Sequence, residues 1–263
     1  MDTTKVFALL PYFFDSAHAI RAGGKPRRAT CAAKPACLHN WEFPSRKAAK
    51  PISRKGALDL IGILDYGIGN VGSIHNMLKK AGAASLIVHT AEELTSCQKL
   101  ILPGVGAFDE GMVRLDASGM RAALDTAVAQ GKPVLGICLG MQMLGLSSEE
   151  GKSEGLGYIR FRNLRFQLED HPELKVPHMG WDFVTLPDAA DPLMRGVAEA
   201  QRYYFVHSYY AQCENDADAL MICDYGRPFV AAVRHGNVRG TQFHPEKSHR
   251  FGMALLKNFA EVC

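Results

Sequence analysis

From residue 60 onward the chain alternates short apolar runs with segments whose apolar residues recur every three to four positions. An apolar run over residues 60–64 is followed by a stripe of helical spacing over residues 71–81, which stops at Gly82. The same pattern predicts short strands at residues 86–89, 99–102 and 134–137, and a helix at residues 120–130. Strands that alternate with helices pair in parallel, so this half predicts an α/β fold with helices on both faces of an open, largely parallel sheet.

Beyond Gly157 the predicted strands follow one another more closely, with fewer helical segments between them. They lie at residues 161–168, 183–186, 203–207, 219–223, 230–234 and 238–243. Consecutive strands joined by short turns favour antiparallel pairing. We therefore expect one mixed sheet, parallel in its first half and partly antiparallel in its second half.

Cys138 lies where the predicted strand at residues 134–137 runs directly into a helical segment, within a Gly-x-Cys-x-Gly turn. A nucleophile at such an elbow has a strained backbone, and Gly136 and Gly140 leave space where side chains would collide. Helix amides and the helix dipole favour a thiolate there, which can lower a cysteine pKa from about 8.5 toward neutrality. The alternative is an unreactive cysteine in the core, which is common for free cysteines.

His244 and Glu246 end a predicted strand about a hundred residues beyond the cysteine. A cysteine nucleophile needs an imidazole to exchange a proton with it, and the imidazole needs a third group to fix its tautomer. One residue separates His244 from Glu246, so both side chains can point the same way, and Pro245 stiffens the link. The three residues therefore predict a Cys-His-Glu triad.

Five segments stand out along the chain: residues 102–108 (LPGVGAF), 136–142 (GICLGMQ), 177–181 (PHMGW), 205–210 (FVHSYY) and 242–248 (QFHPEKS). Taken together and in order, they resemble the class I glutamine amidotransferases and, more narrowly, the glutaminase subunit of imidazole glycerol phosphate synthase. The resemblance extends from about residue 60 to the end of the chain. The 136–142 and 242–248 segments are typical of the whole class, and the PGVG loop, the MGW segment and Lys-Ser after His-Pro-Glu are typical of this subunit.

The resemblance implies a catalytic triad of Cys138, His244 and Glu246, with Cys138 forming a glutamyl thioester and expelling ammonia. His244 would protonate the departing nitrogen and then activate water. The resemblance also implies an oxyanion site made by the backbone amides of Val105 and Leu139. The family requires the Val105 peptide to reorient before it donates.

The resemblance further assigns glutamine binding to a set of residues around the predicted nucleophile. They are Gly106, Gln142, Glu150, His207, Ser208 and Tyr209. Glu150 would meet the ammonium group of glutamine, and the 207–209 stretch would hold the other end through its backbone. Taken singly, Gln142 and Glu150 could equally be ordinary surface residues.

A partner follows from the same resemblance, because free ammonia is protonated in neutral water and ceases to be a nucleophile. The implied partner is the barrel-shaped cyclase subunit, in a cytoplasmic heterodimer that makes imidazole glycerol phosphate and AICAR in histidine biosynthesis. The resemblance places Asn70, Trp181, Tyr204 and Lys247 at the interface, although Trp181 and Tyr204 could instead belong to the core. We expect no metal and no cofactor, and no contact with nucleic acid or membrane.

A dinucleotide-binding protein is the main alternative from a different class. Residues 67–72 match the Gly-x-Gly-x-x-Gly fingerprint between a predicted strand and a predicted helix. The acidic residue that should follow the second strand is present only loosely, as Glu92 and Glu93, and this function would leave the Cys-His-Glu set unused. Another class I amidotransferase subunit, a cysteine peptidase and a catalytically inactive binding module are further alternatives.

Charge divides the chain into a basic segment at residues 1–56 and a mildly acidic domain at residues 57–263. The first contains 11 Lys and Arg against 3 Asp and Glu, and the second contains 19 against 24. We expect residues 1–56 to be a disordered extension, consistent with a translation start placed too far upstream; a secretory signal and a transit peptide are alternatives. The seven cysteines show no metal-ligand spacing, which favours a reducing compartment such as the cytoplasm.

Overall fold

The computed structural model describes residues 59–186, 190–197 and 201–263. The expectation for residues 1–56 therefore lies outside the described residues. Among the described residues, no helix combines the length and the apolar character that a membrane span requires.

Strands and helices alternate through the first half of the described chain, as the sequence pattern predicts. The strands are β1 (Ile61–Leu64), β2 (Ser85–Val88), β3 (Lys99–Gly104), β4 (Val134–Cys138), β5 (Ser147–Ser148), β6 (Phe161–Arg165), β7 (His178–Thr185), β8 (Gln201–His207), β9 (Tyr209–Cys213), β10 (Ala219–Asp224), β11 (Pro228–His235) and β12 (Val238–Thr241). The helices are α1 (Val71–Lys80), α2 (Ala91–Ser96), α3 (Phe108–Ala117), α4 (Arg121–Ala129), α5 (Leu139–Met143) and α6 (His249–Val262). Short 3-10 turns lie at Pro192–Met194, Asp216–Asp218 and Pro245–Lys247.

The strands form one mixed sheet in the order β2-β1-β3-β4-β12-β11-β10-β7-β8, with β9 joining β11 to β6 and β6 pairing with β5. The first five strands of this order are parallel, and those from β12 onward pair antiparallel along the path. The expectation of a mixed α/β sheet is therefore confirmed. Since β4 and β12 are adjacent and parallel, their carboxyl ends lie side by side.

Two apolar cores cover the two faces of the sheet. Alternate residues of β3 divide between them: Ile101 packs with helices α1 and α6, and Leu100 and Leu102 pack with α2, α3, α4 and α5. In α6, Leu255, Leu256 and Phe259 are fully buried on the first face. Both faces of β1, β3 and β4 are therefore buried, which explains their continuous apolar runs.

Several boundaries differ from the sequence-based prediction. The strand expected at residues 183–186 is β7, which begins earlier, at His178, because residues 178–184 pair with β8. The strand expected at residues 161–168 ends at Arg165, since its partner β9 begins at Tyr209. Strands β5 and β9 and helices α2, α3 and α6 were not predicted. Strand β5 and helix α2 are only two and six residues long, whereas α6 has Leu255, Leu256 and Phe259 at helical spacing on one buried face, so the sequence does contain the signal for it.

Candidate active site

Cys138 ends β4 and immediately precedes α5, with a φ of 54° and a ψ of −111°. Residues with a β-carbon rarely adopt this left-handed region, and such strain costs on the order of 1–3 kcal/mol. The surrounding packing must therefore hold the backbone in place. The residue is 7 % exposed, at the carboxyl edge of the parallel strands.

The two glycines of the elbow are required by close backbone contacts. A β-carbon on Gly140 would lie 1.8 Å from the carbonyl oxygen of Leu102 in β3. A β-carbon on Gly136 would lie 2.8 Å from the Gly140 carbonyl oxygen. The sharp turn from β4 into α5, and the close packing of α5 on β3, therefore require glycine at both positions.

His244 and Glu246 lie just beyond β12, as the sequence predicts. The Nδ1 atom of His244 is 2.8 Å from Oε1 of Glu246, and both side chains are 2 % exposed. Because the carboxylate can only accept, Nδ1 carries a proton and donates it. Among the described residues, the other ring nitrogen, Nε2, has no hydrogen-bond partner. This arrangement leaves Nε2 free for proton exchange.

The neighbours of His244 change its protonation. Burial alone would lower the pKa of the ring, but its interactions with Cys138 and Glu246 outweigh burial and raise the pKa to about 9. The ring interacts with the thiol of Cys138, so the two side chains are close neighbours. Imidazolium is thus favoured in the folded protein near neutral pH.

The predicted oxyanion residues flank the cysteine. Gly104 of β3 is in register with Cys138, so Val105 follows directly at the same sheet edge, where it is 42 % exposed. Gly106 has a φ of 104°, a conformation that a glycine adopts readily. Leu139 is the first residue of α5, and the first amides of a helix have no acceptor within the helix.

The predicted glutamine-binding residues fall into two groups. Gln142 is buried, and its Nε2 atom donates to the carbonyl oxygen of Tyr209 at 3.3 Å, which also accepts from Nδ1 of His207 at 2.8 Å. Ser208 lies between β8 and β9, and its carbonyl oxygen accepts from the amide of Phe166. These residues lie together, close to the elbow.

Glu150 lies in the second group, at the surface. Its Oε2 atom accepts a 2.9 Å hydrogen bond from the amide of Phe108, the first residue of α3. Because Phe108 follows Gly106 by two residues, this bond brings Glu150 to the loop that carries Val105 and Gly106.

Two side chains beside the site were missed by the sequence reasoning. Gln242 is fully buried, and its Nε2 atom lies 3.9 Å from Sγ of Cys138. His178 is also fully buried and lies 3.0 Å from His207 between ring nitrogens. Alternation along the chain could have indicated Gln242, since it precedes His244 by two residues, but no local signal pairs the two histidines.

Three of the four residues predicted at a partner interface form one cluster. Trp181 and Tyr204 are paired across β7 and β8 with ring centroids 6.1 Å apart, and Nζ of Lys247 is 5.9 Å from the Tyr204 ring centroid. Asn70 is exposed and caps α1, where its side chain accepts from the amide of Ser73. Helix α1 packs against the turn that contains Lys247.

Comparison with known proteins identifies similarity to one family over residues 62–263, described as glutamine amidotransferase class-I. The chain is 50 % identical over 204 residues to imidazole glycerol phosphate synthase subunit HisH 2 of Pseudomonas aeruginosa, covering 77 % of this chain and all of that protein. It is 48 % identical over 201 residues to the protein of the same name from Methanococcus maripaludis, covering 76 % of this chain and 98 % of that protein.

Solved structures share the fold at low sequence identity. PurLQS from Thermotoga maritima superposes with a TM-score of 0.58 at 19 % identity, over 77 % of this chain and 96 % of that chain. The glutaminase domain of CTPS from Trypanosoma brucei superposes with a TM-score of 0.55 at 15 % identity, over 77 % of this chain and 94 % of that chain. The fold class is confirmed by these neighbours.

The close approach at the elbow predicts that Gly140→Ala destabilises the protein. The added methyl group must displace the backbone of β3, so we expect the free energy of unfolding to fall by at least about 2–3 kcal/mol in urea denaturation. Gly72→Ala is the matched control, because a β-carbon there meets no atom within 4 Å. Its stability should stay within about 1 kcal/mol of the parent. Equal stability of the two variants would contradict the packing described here.

The raised pKa of His244 predicts a pH-dependent contribution to stability. The folded state holds the proton up to about pH 9, whereas the unfolded ring releases it at about 6.5, so the contribution is complete below 6.5 and disappears as pH rises toward 9. The stability difference between the parent and His244→Asn should therefore shrink between pH 6 and pH 9.5, measured by urea unfolding. In a Cys138→Ser background the change should be smaller. A difference that grows with pH would refute the assignment.

Proposed function

Because the chain belongs to the glutamine amidotransferase class-I family, we propose that it is the glutamine-hydrolysing subunit of an imidazole glycerol phosphate synthase, acting in histidine biosynthesis. The observation that carries the proposal is the Cys138 elbow beside the buried His244–Glu246 pair, in a chain 50 % identical to a HisH protein over that protein's full length. Family membership favours glutamine chemistry over the dinucleotide-binding alternative.

In the proposed reaction, Sγ of Cys138 attacks the side-chain carbonyl carbon of glutamine. The carbonyl oxygen takes up the electron pair, and the tetrahedral intermediate collapses with cleavage of the carbon–nitrogen bond. His244 donates the Nε2 proton to the leaving nitrogen, so ammonia departs and a glutamyl thioester remains. The same nitrogen then takes a proton from water, which attacks the thioester and releases glutamate and the thiolate.

The surroundings of His244 suit both steps. Glu246 accepts from Nδ1 and so keeps Nε2 directed toward the reacting atoms. A ring whose pKa is raised to about 9 is charged at neutral pH, so it carries the proton that the leaving nitrogen needs. The strain at Cys138 supports the same role, because such conformations cluster at functional sites.

The oxyanion would be stabilised by the amides of Leu139 and Val105. The Leu139 amide is supplied by the start of α5 beside the thiol. The Val105 amide requires the loop peptide to turn, and Gly104 and Gly106 flank it on both sides. Each donor of this type contributes a factor of about 100–1000 to the rate.

Glutamine would be held at its amino-acid end by the residues around the elbow. Both amide protons of Gln142 are used by the Tyr209 carbonyl and by Gln242, so its oxygen is the atom that can accept from the substrate ammonium group. Glu150 would supply the negative charge from the loop side. Gly106, His207, Ser208 and Tyr209 would complete the site through backbone groups.

The ammonia requires a second subunit, because protonation in bulk water would destroy its nucleophilicity. An exposed apolar stripe on one face of β7 supports such a partner: Met179 is 60 % exposed, Trp181 36 % and Phe183 62 %. The proposed partner is the cyclase subunit, contacted by Asn70, Trp181, Tyr204 and Lys247, in a cytoplasmic heterodimer. Tyr204 pairs with Trp181 and contacts Lys247, which makes the last three residues one continuous patch.

The proposed chemistry predicts that Cys138→Ser separates two activities of the complex with its cyclase subunit. Glutamine-dependent synthesis of imidazole glycerol phosphate should fall by at least about 1000-fold, because the thioester cannot form efficiently. Synthesis from added ammonium salt should be unchanged, since the cyclase then receives its nitrogen directly. Both rates are measured by product formation at saturating cyclase substrate.

Cys213→Ser is the control for this prediction, because Cys213 is a half-buried free thiol on β9 outside the proposed triad. It should retain both activities. Loss of ammonium-dependent synthesis in Cys138→Ser, or full glutamine-dependent synthesis in the same variant, would refute the proposed role of the cysteine.

A further inference from the structure

A continuous series of hydrogen bonds connects a half-exposed carboxylate on β7 with the thiol of Cys138. It begins one residue after Trp181, at Asp182, whose side chain is 39 % exposed. From Asp182, Oδ2 lies 2.6 Å from Nε2 of His178, and Nδ1 of His178 lies 3.0 Å from Nε2 of His207. The carbonyl oxygen of Tyr209 then accepts from Nδ1 of His207 at 2.8 Å and from Nε2 of Gln142 at 3.3 Å. Finally, Nε2 of Gln142 donates to Oε1 of Gln242 at 3.1 Å, and Nε2 of Gln242 lies 3.9 Å from Sγ of Cys138.

The carbonyl oxygen of Tyr209 fixes the direction of every bond toward the cysteine. Since a carbonyl only accepts, Gln142 must direct its amide nitrogen at it. The second proton of the same nitrogen is donated to Gln242, which must therefore present its oxygen. The Gln242 amide nitrogen is left facing Sγ of Cys138, with a donor oriented toward the sulfur.

The Tyr209 carbonyl also determines which ring nitrogens of His207 and His178 carry protons. His207 must carry its proton on Nδ1 to donate to Tyr209, and burial lowers the pKa of His207 to about 3, so the ring is neutral. Its Nε2 atom is therefore an acceptor and requires a proton on Nδ1 of His178. The remaining nitrogen of His178, Nε2, lies 2.6 Å from Oδ2 of Asp182, which is a hydrogen-bond distance.

The His178 ring is also held firmly by packing. It is fully buried and stacks between Phe205, with centroids 4.8 Å apart and planes inclined by 22°, and Tyr225, with centroids 4.0 Å apart and planes inclined by 25°. A ring held on both faces keeps its two nitrogens aimed along the series. His178 therefore couples the backbone of β7 to the strand that carries His207.

We propose that His178 is a positioning residue for glutamine hydrolysis: through His207 and the Tyr209 carbonyl it orients Gln142 and Gln242, so that an amide donor faces the reactive sulfur. The inference rests on the proposed function, and it extends that function to residues on β7, the strand that carries the exposed stripe. Gln242 contacts the sulfur itself, whereas His178 acts only through the intervening groups.

The first test compares three variants in the complete complex with its cyclase subunit. His178→Phe keeps the stacking but leaves Nε2 of His207 without a donor, and we expect kcat for glutamine hydrolysis to fall by roughly tenfold. His178→Asn keeps a donor near the position of Nδ1 and should recover most of that loss. Tyr203→Phe is the matched control, because it removes a buried hydrogen bond to Gln201 within β8 and breaks no bond of the series.

The second test is a double-mutant cycle between the two ends of the series. Gln242→Met removes the donor beside the sulfur and should lower kcat. It should also slow the alkylation of Cys138 by iodoacetamide, which peptide mass spectrometry measures. Since both changes interrupt one series, His178→Phe combined with Gln242→Met should be no more than about threefold worse than the poorer single variant. The effects of Tyr203→Phe and Gln242→Met on kcat should instead be independent, so that the double variant shows the product of the two single effects.

The outcomes separate this inference from the proposed function. Wild-type complex without glutaminase activity would refute the proposed function. Active wild type with an unchanged kcat in His178→Phe, or full multiplication of the two effects, would overturn the positioning role. If His178→Phe does not fold, Asp182→Ala decides, because Asp182 is half exposed and bonds the other ring nitrogen of His178: the proposal requires kcat to fall and the loss to be non-additive with that of Gln242→Met, and an unchanged kcat or fully multiplying losses would overturn it. Ammonium-dependent synthesis should remain unchanged in every folded variant.

Discussion

The contact between helix α5 and strand β3 at Gly140 is the constraint on which the site depends. The Leu102 carbonyl lies so close that only a glycine fits, and this approach holds Cys138 in a conformation that its own side chain disfavours. The strain is thus maintained by the packing of two buried elements. Placing the sulfur on rigid elements fixes its position more accurately than a loop would.

Parallel pairing of β4 and β12 supplies the second requirement, because it joins parts of the chain about a hundred residues apart. Thr241 is in register with Ile137, so Gln242 emerges beside Cys138 and His244 follows at the same edge. The His244–Glu246 pair is buried there with its charge partly balanced by its neighbours. Pairing within the sheet therefore brings the site residues together, and segment 242–246 only has to hold its side chains in a fixed orientation.

Sequence reasoning succeeded where a local pattern dictates the structure. The Gly-x-Cys-x-Gly turn predicted the elbow, and the His-Pro-Glu segment predicted the pair beside it, because each depends on neighbours in the chain. The β7–β8 pairing, the His178–His207 contact and the orientation of Gln242 depend on strands far apart in sequence, and no periodicity encodes them. The exposed stripe on β7 was not predicted either, because the strand was expected only at residues 183–186 and in fact begins at His178.

The central claim is that Cys138 forms a covalent bond to the substrate, and the most direct measurement is trapping of that intermediate. The complex with its cyclase subunit is mixed with glutamine, quenched in acid during turnover and analysed by peptide mass spectrometry. A glutamyl adduct is expected on the peptide containing Cys138 during turnover, and it should be absent without glutamine. Turnover with an adduct on another cysteine, or with Cys138 unmodified and freely alkylated throughout, would contradict it.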